Sequence, residues 1–373
     1  MRTFLTRSIA AVSAVALLTL SAACSNEREG ATGATTGGST SAAKGFPADS
    51  LIGVALPSKT SENWVLAGDL FTDGLKAAGF KSDVQYAGAS TTVADQQAQI
   101  SAMVTKGAKV IVIGATDAAQ LSTQVAQAKQ SGATVIAYDR LITNTPDVDY
   151  YIAFDNFKVG QLQGQALLDG MKAKKATGPW TIELFSGSPD DNNAGVFFNG
   201  AMDVLKPLID KGEVVVGSGQ QDVKQTAIQG WKAEGAQQRM DSLLTSTYDS
   251  GKTLDGVLSP NDTLARAIIT SVKGAGKPIP IVTGQDSEVE SVKSIVAGEQ
   301  YSTINKDTRE LVAETVNMVK ALQGGGAPEI NDTKSYDNGA KVVPAYLLPP
   351  IIVTKDNAAE AYANDPKLSP LTK

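Results

Sequence analysis

Polar clusters recur along the chain, and most of them come shortly after an apolar run that predicts a β-strand. The clusters combine carboxylates, amides and cationic groups, which can accept hydrogen bonds from hydroxyl groups and donate hydrogen bonds to them. Seven such clusters are found: 57–64, 139–140, 155–156, 188–193, 261–262, 285–286 and 306–307. One cluster alone would be ordinary loop composition. Seven in step with the strand pattern predict one cleft that binds a small polyhydroxylated molecule.

Asp139 and Arg140 are the clearest pair of hydroxyl-binding groups. A carboxylate can accept from two hydroxyls while a guanidinium donates in a planar fork. Taken alone, the pair is explained equally well by a surface turn that caps a helix. With the other clusters it favours a site for a sugar, whose hydroxyls both donate and accept.

Two of the three tryptophans, Trp64 and Trp231, lie in predicted loops in different halves of the chain. Two flat apolar rings from opposite sides can stack on the two faces of one sugar ring. The alternative is that both anchor hydrophobic cores, which is the usual role of tryptophan. Trp180 begins a predicted strand and is interpreted as structural.

The segment SPDDNN (188–193) places two carboxylates and two amides before a helix predicted from about residue 194. Asp and Asn are preferred helix N-caps. Capping accounts for one of these four side chains and leaves the other three to be explained.

The composition excludes several classes of enzyme. The chain has no histidine, which excludes a Ser-His-Asp triad and a His-ligated metal site. No Gly-x-Gly-x-x-Gly turn follows a predicted strand, so we expect no nicotinamide cofactor and predict no other. Gly251-Lys252-Thr253 resembles the end of a phosphate-binding loop, but Ser246 stands where that motif requires glycine.

A glycosidase is the enzyme alternative, because Asp190, Asp191 and Asp286 could supply an acid and a base. Nothing in the sequence sets two carboxylates at a working separation. Many clustered contacts would also slow product release. We therefore predict a binding protein rather than an enzyme.

Eight short apolar, β-branched runs alternate with segments whose apolar spacing is near 3.6 residues, such as Leu264, Ile268 and Val272. This alternation predicts an α/β fold with parallel sheets covered by helices on both faces. Eight units exceed one doubly wound sheet, so we expect two lobes. Ligands of such sheets bind beyond the carboxyl ends of the strands. The predicted strands are 51–56, 109–113, 133–138, 181–185, 214–217, 256–258, 279–282 and 301–304.

The N-terminus predicts export. Arg2 and Arg7 flank an apolar stretch at 9–20, and small residues lead to Cys24, the only cysteine. A stretch of twelve residues is too short to span a bilayer of about 30 Å, so we expect a signal peptide at 1–23 with lipidation of Cys24. Residues 25–45 are rich in Gly, Ser, Thr and Ala, and we predict a flexible tether at 24–47.

The charge balance argues against nucleic acid as a partner. The formal net charge is −6, and loss of Arg2 and Arg7 with the signal peptide would make it more negative. Binding to nucleic acid draws much of its affinity from clustered Lys and Arg.

The sequence resembles the periplasmic sugar-binding proteins of the xylose and multiple-sugar receptor group, relatives of the ribose- and galactose-binding proteins. The resemblance runs from about residue 51 to 373 and is specific only when its motifs are taken together. These motifs are MVTKGAKVIVI (103–113), VIAYDRLI (135–142), YIAFDNFKVG (151–160), ELFSGSPDDNNA (183–194), VLKP (204–207), GQDSEVESVKSIVAGEQYSTINKDTREL (284–311) and the NDTK–NG–KVVPAYLL stretch (331–348).

The resemblance implies a type I periplasmic binding protein, with two doubly wound parallel-sheet lobes and a ligand cleft between them. It implies one lobe at 48–154 with 307–340 and another at 155–306 with 341–373. Relatives commonly carry Arg where this chain has Asn63, from which we infer a looser pocket for sugars more varied than a pentose. The implied ligand contacts are Asn63, Trp64, Asp139, Arg140, Asp191, Asn193, Trp231, Asn261, Asp286 and Lys306.

The resemblance also implies a role in sugar import. The expected partners are a monosaccharide and an ABC-type permease, and we expect a monomer on the outer face of the cytoplasmic membrane, in the cell envelope or periplasm. Signalling to a membrane sensor or chemoreceptor shares the binding step and stays open as an alternative. Sugar-responsive repressors share this core, but they carry a DNA-binding segment where this chain has its export signal.

Overall fold

The structure, a computed structural model, describes residues 45–59, 61–88, 92–249 and 251–373. The predicted signal peptide at 1–23, Cys24 and the tether as far as residue 44 lie outside the described residues. Within the described ranges, no helix combines the length and the apolar character needed to cross a membrane.

The first lobe is built on a six-stranded sheet in which every pairing is parallel. Its strands are β1 (Leu51–Leu56), β2 (Lys81–Tyr86), β3 (Val110–Ile113), β4 (Thr134–Tyr138), β5 (Tyr150–Phe154) and β11 (Ala345–Leu348). Their order is β11-β5-β4-β3-β1-β2. Helices cover both faces, because the central strands are apolar on each side. These helices are α1 (Glu62–Ala77), α2 (Thr92–Thr105), α3 (Ser122–Gln130) and α9 (Thr308–Gln323).

The second lobe contains a four-stranded parallel sheet in the order β7-β6-β8-β9. Its strands are β6 (Trp180–Leu184), β7 (Val214–Val216), β8 (Gly256–Leu258) and β9 (Ile281–Val282). An antiparallel pair, β10 (Ser302–Asn305) and β12 (Ile351–Thr354), lies beside β9. The Tyr301 amide joins the pair to β9 by donating to the Val282 carbonyl at 3.0 Å. The helices are α4 (Asn156–Lys174), α5 (Asn192–Asp210), α6 (Ala233–Ser246), α7 (Asp262–Gly274), α8 (Val289–Ala297) and α10 (Ala358–Ala361).

Three segments connect the lobes, between β5 and α4, between β10 and α9, and between β11 and β12. Asp155 and Asp307 cap the helices that follow the first two segments. The resemblance implied that 341–373 belong to the second lobe, and this is wrong for β11. That strand pairs in register with β5, Ala345 beside Tyr151, and Val343 and Ala345 are buried in the first lobe's core.

The predicted fold class is confirmed: two α/β lobes with parallel sheets. All eight predicted strands are present, with bounds shifted by at most two residues. The strands β2, β5, β11 and β12 were not among those predicted. Trp180 is structural as expected, since it is buried and its indole N–H donates to the Lys175 carbonyl at 3.0 Å.

Candidate functional site

The carboxyl ends of both sheets face one cavity of about 1030 Å³ between the lobes. Each of the ten residues predicted to contact ligand lines this cavity, and both lobes contribute. These residues are Asn63, Trp64, Asp139, Arg140, Asp191, Asn193, Trp231, Asn261, Asp286 and Lys306.

Trp64 lies in the first turn of α1, directly beyond β1. Ser61 caps this helix by accepting from the Asn63 amide at 3.3 Å. The indole packs against Gly114, where a Cβ atom would lie 3.0 Å from the ring. Its edge meets Tyr138 with ring centroids 6.1 Å apart. Glycine at the end of β3 therefore provides the flat surface on which this ring rests.

Asp139 follows β4 in the left-handed region, at φ 61°. Its carbonyl accepts from the Tyr151 hydroxyl and from the Asn193 side chain, both at 2.7 Å. Its carboxylate has no hydrogen-bond partner in the described part of the chain. Burial raises the pKa of this carboxyl, while the positive charges of Lys306 and Arg140 oppose the rise. Asp139 is thus an acceptor without a donor among the described residues.

Arg140 is held by the protein at three points. Its Nε lies 3.1 Å from Asp191 Oδ2, and its Nη1 donates to the Ala115 carbonyl at 3.2 Å. Its guanidinium carbon lies 5.4 Å from the centre of the Trp64 ring, a distance at which cation and ring attract. The remaining donors can serve a ligand from a fixed position.

Asp191 and Asn193 connect the two lobes. The other Asp191 oxygen caps α5 by accepting from the Asn193 amide at 3.0 Å. The Asn193 side chain accepts from Tyr151 at 3.3 Å and donates to the Asp139 carbonyl across the lobe boundary. Both residues position neighbouring site groups as well as lining the cavity.

Trp231 closes a 3-10 turn at Gln229–Trp231 and has φ 55°. Its ring lies on Gly187 beyond β6, where a Cβ atom would come within 2.1 Å of the indole. Its Nε1 is buried with no hydrogen-bond partner in the described ranges. This arrangement repeats, in the second lobe, the packing of Trp64 on Gly114.

Lys306 and Asp286 form an ion pair at 3.0 Å. Burial alone would lower the pKa of Lys306, but Asp286 and Asp139 outweigh it and the pKa is raised. The ammonium also lies 5.4 Å from the centre of the Phe197 ring. Lys306 is therefore a charged donor at neutral pH, surrounded by two carboxylates and an aromatic face.

The side chains of Asn63 and Asn261 each form one hydrogen bond with a backbone group. The Asn63 side chain donates to the Asp286 carbonyl at 3.4 Å, from the first lobe to the second. The Asn261 oxygen caps α7 by accepting from the Leu264 amide at 3.0 Å. The Asn261 side-chain nitrogen has no protein acceptor among the described residues and can serve the cavity.

Phe197, Gln285 and Glu288 also line the cavity and were not among the predicted ligand contacts. Phe197 is one turn inside α5, beyond the polar cluster, so an argument from strand ends does not find it. Glu288 is buried and paired with Arg266 at 2.6 Å. Burial raises the pKa of its carboxyl and Arg266 opposes the rise. Gln285 lay within a predicted polar cluster, so its position could have been found.

The cavity therefore combines an unpartnered acceptor, fixed cationic donors and two indoles from opposite lobes. Asp191 and Asp286, two of the three carboxylates of the glycosidase alternative, are each paired with a cation. The third, Asp190, accepts from Gln229 at 3.0 Å. This chemistry suits the capture of a neutral ring that carries several hydroxyls.

Comparison with known proteins gives a consistent result. The model of the periplasmic binding protein domain family matches residues 52–327. The chain is 51% identical to the multiple sugar-binding periplasmic receptor ChvE of Rhizobium radiobacter, over 84% of this chain and 90% of that one. It is 35% identical to the D-xylose-binding periplasmic protein of Escherichia coli, over 84% and 89%. A solved solute-binding protein of an ABC transporter from Clostridium phytofermentans, with bound β-D-glucose, is 42% identical with a TM-score of 0.82, covering 87% and 100%.

Proposed function

Because this chain belongs to the periplasmic binding protein domain family, we propose that it captures a monosaccharide and delivers it to an ABC-type sugar importer. The observation that carries the proposal is the single cavity shared by ten predicted contact residues from two lobes. The ligand would be xylose, glucose or a related aldose, bound by closure of the lobes. Ligand that contacts both lobes shifts the equilibrium toward the closed form.

The chemistry of the cavity supports an uncharged aldose as ligand. Asp139 offers an unpartnered carboxylate, Arg140 and Lys306 offer cationic donors, and Asn261 offers an amide. Hydrogen bonds to charged groups contribute about 1.5–3 kcal/mol each. A few of them suffice for the roughly 8 kcal/mol of a micromolar complex after the cost of association. Trp64 and Trp231 would stack on the two faces of the sugar ring.

A range of sugars, rather than one pentose, is the ligand set that we propose. The names of the relatives support this, since one is described as binding multiple sugars, one as binding D-xylose, and one was solved with β-D-glucose. The resemblance implies Arg at this position, and the shorter Asn63 would leave more room beside the ring. A titration series in which xylose alone binds tightly would contradict this proposal.

The predicted location is the outer face of the cytoplasmic membrane, with a lipid anchor on Cys24 and a monomeric folded part. Labelling with a fatty-acid analogue should mark the wild-type protein. It should fail to mark Cys24→Ser, which should then be recovered in the soluble envelope fraction or the medium. Labelled Cys24→Ser would place the anchor elsewhere.

Signalling to a membrane sensor or chemoreceptor is the second candidate, favoured by the description of one relative as a receptor. It uses the same binding step, so the two roles differ only in the partner of the loaded form. We propose no catalysis. Turnover of a sugar or an aryl glycoside by the purified protein would reverse that judgement.

The central experiment is a calorimetric and thermal-shift screen against xylose, glucose, galactose, arabinose, fucose and ribose. At least one of them should bind and raise the melting temperature, and Asp139→Ala and Trp64→Ala should each abolish that effect. Normal binding by both variants would mean that the pocket has been assigned to the wrong place. Binding of none of these sugars by the wild type would contradict the proposed function.

A further inference from the structure

A short segment after α10 contacts the binding loops from outside the cavity. Residues 362–368, named here the C-terminal clasp, follow β12 and α10 in the second lobe. Tyr362 and Leu368 are buried with Val292 of α8 and Val353 of β12. The clasp is therefore firmly packed on the second lobe, and its remaining side chains can hold other elements.

The first contact of the clasp reaches the turn that carries Asp286. The Tyr362 hydroxyl, which is buried, donates to Ser287 Oγ at 2.6 Å. Asp286 and Ser287 both have positive φ, at 96° and 53°. Non-glycine residues hold this conformation only where surrounding contacts enforce it. Tyr362 supplies one such contact directly beside the residue that pairs with Lys306.

The second contact reaches the segment that connects the lobes after β10. Asp365 accepts from Arg309 at 2.8 Å, and the same guanidinium nitrogen lies 2.8 Å from Asp307. The other Asp365 oxygen accepts from the Lys367 and Leu368 amides of the clasp itself. Arg309 belongs to α9 in the first lobe, so this arrangement fastens the clasp to the connection that begins at Lys306.

The third contact joins the lobes at the rim. Lys367 Nζ lies 2.6 Å from Glu62 Oε2 in the first turn of α1. Glu62 directly precedes Asn63 and Trp64, and it belongs to the first lobe. An ion pair between groups on separate lobes is lost when the lobes separate, so it favours the closed form.

We propose that Tyr362, Asp365 and Lys367 are positioning residues that set how long the sugar stays bound: Asp365 and Lys367 hold the two lobes together in the closed form, and Tyr362 holds the turn that carries Asp286. Three side chains within one short segment contact a residue one to three positions from Asp286, Lys306 and Asn63 respectively. None of the three lines the cavity, so they act through the loops. The inference rests on the proposed function, since it describes the retention of the sugar that the cavity binds.

The test measures sugar dissociation by stopped-flow indole fluorescence with Tyr362→Phe, Asp365→Asn and Lys367→Gln. The dissociation rate should rise about two- to fivefold for Lys367→Gln, whose ion pair is exposed to solvent. It should rise about fivefold for Tyr362→Phe and about tenfold for Asp365→Asn, which lose a buried and a charged hydrogen bond. Association rates should stay within about twofold, because the groups at the cavity wall are unchanged.

Two controls connect the effect to the clasp. Lys355→Gln removes an exposed lysine of the same lobe that makes no ion pair among the described residues, and it should dissociate as the wild type does. The charge-swapped double variant Glu62→Lys with Lys367→Glu should dissociate more slowly than either single variant, because the pair is restored with its sign reversed. Additive effects in the double variant would overturn the role of the ion pair.

Unfolding in urea separates positioning from plain stability. A clasp that only stabilises the second lobe would lower the free energy of unfolding and leave the dissociation rate unchanged, and that result would overturn the inference. A wild type that binds a sugar, with all three variants dissociating at its rate, would also overturn it while leaving the proposed function intact. A wild type that binds no sugar in the screen contradicts the proposed function itself.

Discussion

Three predicted contact residues hold a backbone conformation that is rare outside glycine. Asp139, Trp231 and Asp286 have φ of 61°, 55° and 96°. Such residues cost on the order of 1–3 kcal/mol each and persist where neighbouring groups enforce them. At Asp139 the enforcement is visible, because Tyr151 and Asn193 both bond its carbonyl. The strain directs these side chains before any ligand arrives.

Asp139→Asn tests the unpartnered carboxylate at the residue scale. Asn has nearly the same shape and tolerates the left-handed region well, so the fold should be kept. Loss of charge-assisted hydrogen bonds of about 1.5–3 kcal/mol predicts a Kd about 10- to 150-fold weaker. Isothermal calorimetry with the tightest sugar measures the change.

The matched control for this substitution is Asp210→Asn. Asp210 is exposed at the end of α5 and pairs with Lys206, so its neutralisation removes one charge far from the cavity. It should leave Kd within about twofold, since exposed ion pairs contribute little. An equal loss of affinity in both variants would mean that the change in net charge, rather than the Asp139 carboxylate, causes the effect.

Substitution of Gly187 and Gly114 by alanine tests the surfaces on which the Trp231 and Trp64 rings lie. A Cβ at position 187 would come within 2.1 Å of the Trp231 ring, whereas one at 114 would lie 3.0 Å from Trp64. Overpacking of this kind costs about 1–3 kcal/mol. Gly187→Ala should therefore displace its indole, weaken sugar binding and shift the fluorescence maximum, and Gly114→Ala should do so less. The reverse ranking would show that Trp231 does not contribute its stacking face.

Strand ends could be predicted from the sequence, and with them the membership of the site. Nine of the ten residues lie in polar clusters near the ends of strands, whereas Trp231 was selected for its ring. The same argument also selected the 155–156 cluster, which does not line the cavity. Which of these residues hold other site residues in position could not be predicted. Asp191 holds Arg140 and Asn193 holds Asp139, and both contacts join residues more than fifty positions apart.

At the element scale, most of the predicted strands are buried on both faces, although β5 is equally buried and was missed. β3 and β4 are nearly continuous apolar runs, and both are buried. β2, with the sequence KSDVQY, lies at the edge of its sheet and is only partly buried. Its polar residues suit a partly exposed edge, and they leave no apolar run from which a strand could be predicted. β11 and β12 are short and are separated by Pro349 and Pro350, which obscured both strands and the lobe boundary between them.

The contact between α4 and α5 shows how the second lobe positions Asp191. Gly160 and Gly200 face each other so closely that a Cβ at 200 would lie 2.2 Å from the Phe157 carbonyl. α4 follows the first connecting segment and α5 begins at the SPDDNN cluster. Close packing of these glycines thus joins a connection between the lobes to a wall of the cavity.

Gly200→Ala and Gly195→Ala test this contact within one helix. Gly200→Ala should lower the free energy of unfolding by about 1–3 kcal/mol, because the helices must move apart. At Gly195 a Cβ would meet nothing within 4 Å, and alanine should raise the free energy by about 0.5–1 kcal/mol. Urea unfolding measures both. Destabilisation by both substitutions would mean that helix propensity and spacing do not explain the contact.

At the scale of the whole molecule, the cavity and the second lobe hold buried carboxylates that resist ionisation. Burial raises the pKa of Asp139, and it raises the pKa of Asp262 well above the ordinary value, where Glu288 and Asp286 add to the effect. Asp262 lies beneath the cavity and accepts from Gln300 at 2.8 Å. Asp139 is proposed to contact the sugar and Asp262 is not, so a change of pH should affect sugar affinity and protein stability differently.

Stability of the unliganded protein should rise as the pH falls from neutral toward about 4. Between the ordinary Asp pKa of 3.8 and the raised values, the folded state binds more protons than the unfolded state. Protonation in that window therefore favours folding. Below about pH 4, groups whose pKa is lowered in the folded state make the stability fall as the pH falls further. Burial opposes the lowering at Asp332 and Asp365, but hydrogen bonds outweigh it.

Affinity for sugar should fall over the same window, because binding uses the ionised Asp139 as an acceptor from hydroxyls. Calorimetry and urea unfolding at pH 7.5, 6.0 and 5.0 should therefore move in opposite directions. In Asp139→Asn the affinity should be weak and independent of pH, while Asp262 should still increase stability on acidification. Because the pKa of Asp139 is raised, wild-type affinity that stays constant down to the ordinary Asp pKa of 3.8 would mean that Asp139 does not bind the ligand as a carboxylate. Affinity and stability falling together would indicate loss of the fold rather than of one acceptor.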